Sequence, residues 1–378
     1  MSEKNKFSNI HNVGQLLIVG FEGTEITRRL SSLLTKLQPA GVILFARNIT
    51  GAEQTWRLLE DCQKCVTTAR LFACVDLEGG RVDRFRDVLG PAPSAADVFA
   101  TGERKLFRRH GQIIGECCQA LGFNTDFAPS VDLAFEASRR VMGSRAVSDD
   151  PKKVVRYARE FLRGLRAAGV MGCGKHFPGL GEAHFDTHYE LPSVSKSFRK
   201  LWDEDLAPYR ALRRDFPMVM ISHAAYPAVT RAGTPASLSQ KWITDVLKKK
   251  IGYRGLIVSD DLEMEAVLTA ASIGEAAVGH IGAGGDLCLI CHREDYVTQA
   301  YEQLVQTADR DRKFARRVEQ AAARVMAFKN RSKQLKSKAK APSAGSTDRL
   351  SRTLWEFGEQ VRLEVLNRVE SARRRRRT

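Results

Sequence analysis

Three histidines, two carboxylates and a lysine fall within KHFPGLGEAHFDTH, Lys175 to His188. His184 and His188 stand four apart, the spacing of two metal ligands on one helical face. Pro178, Gly179 and Gly181 oppose a helix there and Pro192 follows, so that spacing loses its geometry and no metal is expected. Asp186 and His188 are two apart, which in an extended segment puts both side chains on one side. The carboxylate can then orient the imidazole and stabilise its charged form. An imidazole with an ordinary pKa of about 6.5 can both give and take a proton near neutral pH. A second stretch, SDDLEM at 259–264, supplies Asp260 at the end of an apolar run, a rigid seat for a nucleophile. Asp261 beside it should face the other way and read as structural. No G-x-S-x-G elbow and no Walker-type loop occurs, which argues against serine-hydrolase and nucleotide-driven chemistry. What remains is acid/base and nucleophilic work by Asp and His. A nucleophile on one side of an anomeric carbon and a proton donor on the other is the arrangement of glycoside hydrolysis.

Such residues need a scaffold. Apolar runs at 16–21, 41–45, 72–76, 124–129, 170–175, 218–223, 255–260 and 286–291 read as strands, with amphipathic stretches between them. Strands that are apolar throughout and separated by helices predict a parallel sheet covered on its outside. Eight such units in about 330 residues predict a single (β/α)8 TIM-type barrel. The alternative, a doubly wound open sheet, wants a glycine-rich phosphate turn after its first strand, and the chain reads EGTEI there. Barrel active sites lie at the C-terminal strand ends. Five predicted ends carry polar groups: Asp76; Lys175 and His176; Ser222 and His223; Ser259 to Asp261; and His292. This pattern predicts an enzyme with a charge-lined pocket.

The chain has 378 residues, 43% hydrophobic, with a net charge of +16. The charge is uneven: Arg331 to Thr378 holds 14 Lys/Arg against 5 Asp/Glu, a net +9 from one eighth of the length. The domain reading is a barrel over 1–330 and a basic extension over 331–378. The extension is expected to be a flexible linker, a short amphipathic helix and an arginine-rich tail, solvated and weakly ordered. Its chemistry would suit an anionic membrane, a nucleic acid or a partner surface. Two C-x-x-C pairs, 62/65 and 288/291, fall in a helical and a strand pattern, so the eight cysteines are expected to be buried free thiols. The N-terminus shows no signal-peptide core, and with reduced thiols this predicts a cytoplasmic location; a monomer is expected.

Taken together, the motifs resemble the bacterial β-N-acetylglucosaminidases of glycoside hydrolase family 3, the single-domain enzymes of cell-wall recycling. The resemblance rests on KHFPGLG followed by DTH, on DLEGGRVDR at 76–84 and on SDDLEM. GVILFARNI, NTDFAPSVDL, VMGSRAV, PASLS and AGGDLCLIC add to it, in order, from about residue 12 to about 330. The resemblance implies a retaining enzyme that needs no metal or cofactor. It implies Asp260 as nucleophile, His188 as general acid/base and Asp186 as its partner. Asp76, Arg84, Arg145, Lys175 and His176 would hold the terminal sugar. The family's usual substrates are N-acetylglucosaminyl-anhydromuramyl peptides. The chain departs from the family at Leu180, where a histidine is usual. The rival readings are a family 3 β-glucosidase or glycoside phosphorylase, and an inactive binding protein that uses the basic tail.

Overall fold

The computed structural model describes residues 10–183, 191–231, 233–337 and 339–375. Short apolar runs form eight parallel strands: β1 (Leu17–Val19), β2 (Gly41–Ile43), β3 (Phe72–Val75), β4 (Thr125–Asp126), β5 (Met171–Phe177), β6 (Met218–Ile221), β7 (Leu256–Asp261) and β8 (Leu287–Ile290). Each pairs with the next, and β1 also pairs with β8, closing the barrel. The expected TIM-type barrel is therefore the fold. Each observed strand lies on its predicted run. β4 is the shortest, and it stops before Pro129, which has no N–H for the ladder. β5 runs two residues past its predicted end, carrying Lys175 and His176 inside the strand.

The period-two alternation of strands divides the apolar residues into two layers. Met218 and Met220 point into the barrel with Phe72, Met171, Leu256 and Leu287. Val219 and Ile221 point outward against the helices, beside Trp242 and Tyr209. Helix starts follow local chemistry. Thr27 accepts from Leu30 N before Arg28–Leu37, and Asp150 caps Pro151–Ala167 with proline in its first turn. Ser272 and Glu275 form a capping box before Ile273–Ala283.

One insertion shapes the site. After β3 the chain makes a small antiparallel hairpin, Leu77–Gly79 against Val82–Asp83. Its turn uses Gly79 at φ +78° and Gly80 at φ +62°, backbone that favours glycine. A side chain at Gly79 would begin 2.2 Å from Pro93 O, so the hairpin is pressed against the segment behind it.

The C-terminal segment differs from its expectation. The start of the expected linker packs on the barrel instead of standing free. Ser332 and Leu335 are buried, and Leu335 joins the interior cluster with Phe72 and Met171 at the N-terminal end of the barrel. The following helix is not short: it runs from Ala344 to Arg375, 32 residues. Leu354, Phe357 and Val361 are buried against the barrel's helical layer. Their i, i+3, i+7 spacing makes one stripe, and burying each large side chain is worth about 1.5–3 kcal/mol. That apolar stripe outweighs the polar composition from which a solvated tail was expected.

Candidate active site

The C-terminal ends of the strands converge on a cavity of about 290 Å³. Asp76, Arg84, Arg145, Lys175, His176 and Asp260 all line it. Each comes from a different local device. Asp76 directly follows β3, and Arg84 follows the hairpin. Arg145 closes the 3-10 turn Gly143–Arg145, Lys175 and His176 sit on β5, and Asp260 is near the end of β7. Asp186 and His188, with His184, lie outside the described residues.

The lining charges form one continuous network. Lys175 Nζ bridges Asp76 Oδ1 and Glu78 Oε1, each at 2.6 Å. Arg145 grips Glu78 with two hydrogen bonds, Nε to Oε2 at 2.8 Å and Nη2 to Oε1 at 2.7 Å. Arg145 Nη2 also lies 3.2 Å from His176 Nε2. His176 Nδ1 lies 2.6 Å from Asp132 Oδ2. An arginine only donates, so in the neutral ring Nε2 accepts and the proton sits on Nδ1, facing Asp132; this tautomer is assigned from the partners. Asp132 in turn accepts from Leu180 N at 2.7 Å and from Ser130 Oγ at 3.1 Å.

These pairings decide the protonation states. Burial works against the charge on Glu78, yet Lys175 and Arg145 hold its carboxyl well below the usual range. Burial would lower Lys175, but Asp76 and Glu78 more than reverse this and keep it charged. Asp132 is lowered against its burial by the His176 ring and the Leu180 N–H. Asp260 is also held below the ordinary carboxylate value: burial opposes this, but the His176 and His223 rings and the Asp261 N–H prevail. A carboxylate kept ionised beside a cavity is the state a nucleophile requires.

Asp261 behaves otherwise than expected. It caps Glu263 N at 3.0 Å, the structural role foreseen for it, but it also lines the cavity. Burial pushes its carboxyl up to about 7. Both neighbours reach the cavity where the pairing with β8 shifts register between Val258 and Asp261, which breaks the alternation that separates adjacent side chains.

Arg84 remains available to a ligand. It forms no ion pair with Asp76 among the described residues, and its buried Nε has no partner there. Its guanidinium lies 5.4 Å from the Phe45 ring, which stacks on His292 at 5.3 Å. Phe45, Val82 and Met264 add apolar surface to the charged lining. A sugar ring offers the same two faces, hydroxyls at its edge and C–H groups on its plane. Ser222 and His223 stand behind the site: His223 is fixed by Ser237 Oγ at 2.7 Å and Asp261 O at 2.8 Å.

Sequence reasoning overlooked Glu78 and Asp132. Glu78 lay inside the quoted DLEGGRVDR, and Asp132 inside NTDFAPSVDL. Neither sits at a predicted strand end, and only the spatial approach of Arg145 and His176 shows what they do. Among the described residues there is no group of three His, Cys, Asp or Glu placed to hold a metal ion.

Residues 10–328 match the family described as glycosyl hydrolase family 3 N terminal domain. A β-hexosaminidase of Xanthomonas campestris pv. campestris is 36% identical over 286 residues, covering 74% of this chain and 85% of that protein. A family 3 β-N-acetylglucosaminidase from Paenibacillus sp. str. FPU-7 superposes with a TM-score of 0.84 at 31% identity, over 92% of this chain and 68% of that one. NagZ from Neisseria gonorrhoeae, solved in complex with N-trifluoroacetyl-D-glucosamine, superposes with a TM-score of 0.70 at 29% identity, over 82% and 98%.

Proposed function

The chain belongs to glycosyl hydrolase family 3 and is a glycoside hydrolase of the β-N-acetylhexosaminidase type, and from that premise we propose that it is a retaining exo-enzyme. It removes terminal, non-reducing β-N-acetylglucosamine from peptidoglycan fragments of the N-acetylglucosaminyl-anhydromuramyl-peptide kind. It does so in the cytoplasm, a reading supported by its free cysteines, seven of the eight of them buried.

In this reading Asp260 attacks the anomeric carbon and forms a glycosyl-enzyme. His188, oriented by Asp186, protonates the leaving oxygen and then deprotonates the incoming water. Asp76, Arg84, Lys175 and His176 bind the hydroxyls of the terminal sugar, with Arg145 holding Glu78 and His176 in place. One observation carries the reading: Asp260 shares a cavity wall with the Lys175–Glu78–Arg145–His176 network. The cavity, about 290 Å³, lies just below the roughly 300–1,000 Å³ typical of ligand pockets, a size that suits a single terminal ring.

The test is a panel of aryl and natural β-N-acetylglucosaminides and β-glucosides, with product stereochemistry and phosphate dependence recorded. Release of β-configured N-acetylglucosamine without phosphate supports the proposal. Preference for the glucoside, inversion of configuration, or a requirement for phosphate would each replace it with another specificity or with phosphorolysis.

A further inference from the structure

We propose that the outward face of the C-terminal helix docks on an anionic lipid bilayer. Five large hydrophobic residues are exposed among the described residues, and four of them lie on this one helix: Trp355 at 65%, Leu363 at 50%, Leu366 at 48% and Val369 at 43%. They are not a frayed remnant of the packing face. Leu354, Phe357 and Val361 already fill the side turned to the barrel and are nearly fully buried. At about 100° per residue, Trp355, Arg362, Leu366, Val369 and Arg373 fall within a stripe about 60° wide, centred about 120° round the helix from the buried one, and Leu363 lies further round still. The helix thus carries a second, exposed apolar stripe beside the packed one, and no described residue covers it.

The charge beside that face identifies the occupant. The sequence continues into five consecutive arginines, Arg373 to Arg377, and the segment from Arg331 onward carries a net +9. Arg373 and Arg374 are exposed. An apolar helical face next to a polybasic cluster is the two-part signal of a surface-lying membrane anchor: side chains enter the headgroup boundary while arginines meet anionic lipid. Tryptophan at the water–lipid boundary fits the same chemistry. A nucleic acid would engage the arginines and leave Trp355, Leu363 and Leu366 wet. A second copy would bring its own arginine cluster. In parallel that cluster faces its twin; antiparallel, it faces Arg349 and Arg352. Either way like charges meet. No described helix is long and apolar enough to cross a membrane, so the contact is with the surface.

The test uses the full chain and sedimentation with vesicles of phosphatidylcholine alone or mixed with phosphatidylglycerol. The expected result is at least about tenfold tighter binding to the anionic vesicles, weakened by added salt, with a blue shift of tryptophan emission. Trp355→Ser with Leu366→Ser, and separately glutamine at all five arginines, should each cut binding about tenfold or more. Both variants should keep hexosaminidase activity, which reports that they fold. No binding by the wild type, or equal binding to both vesicle types, overturns the proposal. So does loss of binding in the arginine variant alone, because the apolar face would then be idle. Displacement of the vesicles by a DNA duplex that binds more tightly would reassign the face to nucleic acid. A dimer abolished by Leu366→Ser would reassign it to a second copy.

Discussion

Asp132 Oδ2 lies 2.6 Å from Nδ1 of His176 and 3.2 Å from its backbone nitrogen, so one carboxylate holds both the ring and the strand that carries it. The pair closes a chain of charges that begins at Asp76. Asp132→Asn would turn an amide N–H toward Nδ1 and favour the other tautomer, whose Nε2–H would then meet the Arg145 donor. Orienting partners of this kind are worth about 10–100-fold. We expect kcat/KM for an aryl β-N-acetylglucosaminide to fall by that much with little change in melting temperature. An unchanged kcat/KM would mean that His176 is held by the strand alone.

Asp260→Ala should lower kcat by at least about 10³-fold with the fold intact, as loss of a nucleophile does. Steady-state turnover together with a thermal melt checks this. Near-normal kcat would transfer the role to another carboxylate, and Asp261, in the same cavity, would be the first to test.

His188 lies outside the described residues, and its role is tested by leaving groups. His188→Ala should slow substrates with poor leaving groups about 10²-fold more than activated aryl glycosides, which need little proton donation. Equal losses on both would count against His188 as the acid.

Lys329 sets a pH dependence of stability far from the active site. Its Nζ donates to Gln15 Oε1 at 2.9 Å and Ala40 O at 2.7 Å with no carboxylate near, and burial lowers it to about 7. The unfolded lysine keeps a pKa of about 10.4. As pH falls from that value to 7, the unfolded chain takes up a proton that the folded chain refuses. Stability is therefore lost over that window by an amount on the order of a few kcal/mol. Lys329→Met should flatten the slope and raise stability at pH 7, because Ala40 O still accepts from Phe72 N. Chemical denaturation of both proteins between pH 7 and 10 decides it. Parallel curves would show that Lys329 stays charged.

Phe357 joins the C-terminal helix to the active-site hairpin. It stacks on His110 at 6.0 Å, and His110 Nε2 lies 3.5 Å from where a side chain at Gly79 would begin. Phe357→Ala should cost about 3–5 kcal/mol. Truncation after Arg331 should depress folding yield, since it also removes Leu335, Leu354 and Val361. Calorimetry and expression in soluble form check both. A truncated protein with an unchanged melting temperature would return this segment to the status of a solvated extension.

Legibility in the sequence followed the range of the interaction. Continuous apolar runs act over a few residues, so the eight strands, their parallel order and the polar strand ends could be read directly. The motif segments likewise named Asp76, Arg84, Arg145, Lys175, His176 and Asp260, which the fold brings to one cavity. At the C-terminus the amphipathic helix was legible, but not that Leu354, Phe357 and Val361 pack on the barrel, because the surface they meet is distant in the chain.

By itself, then, the sequence determined the barrel and the residue types that face its open end, since both are set by local patterning. Only the tertiary structure decided that Glu78 and Asp132 complete the charge network, that Asp261 shares the cavity with Asp260, and that the last helix spends one face on the barrel. Those outcomes depend on residues such as Glu78 and Arg145, 67 positions apart in the chain. Their attraction has force only after folding has removed the water between them.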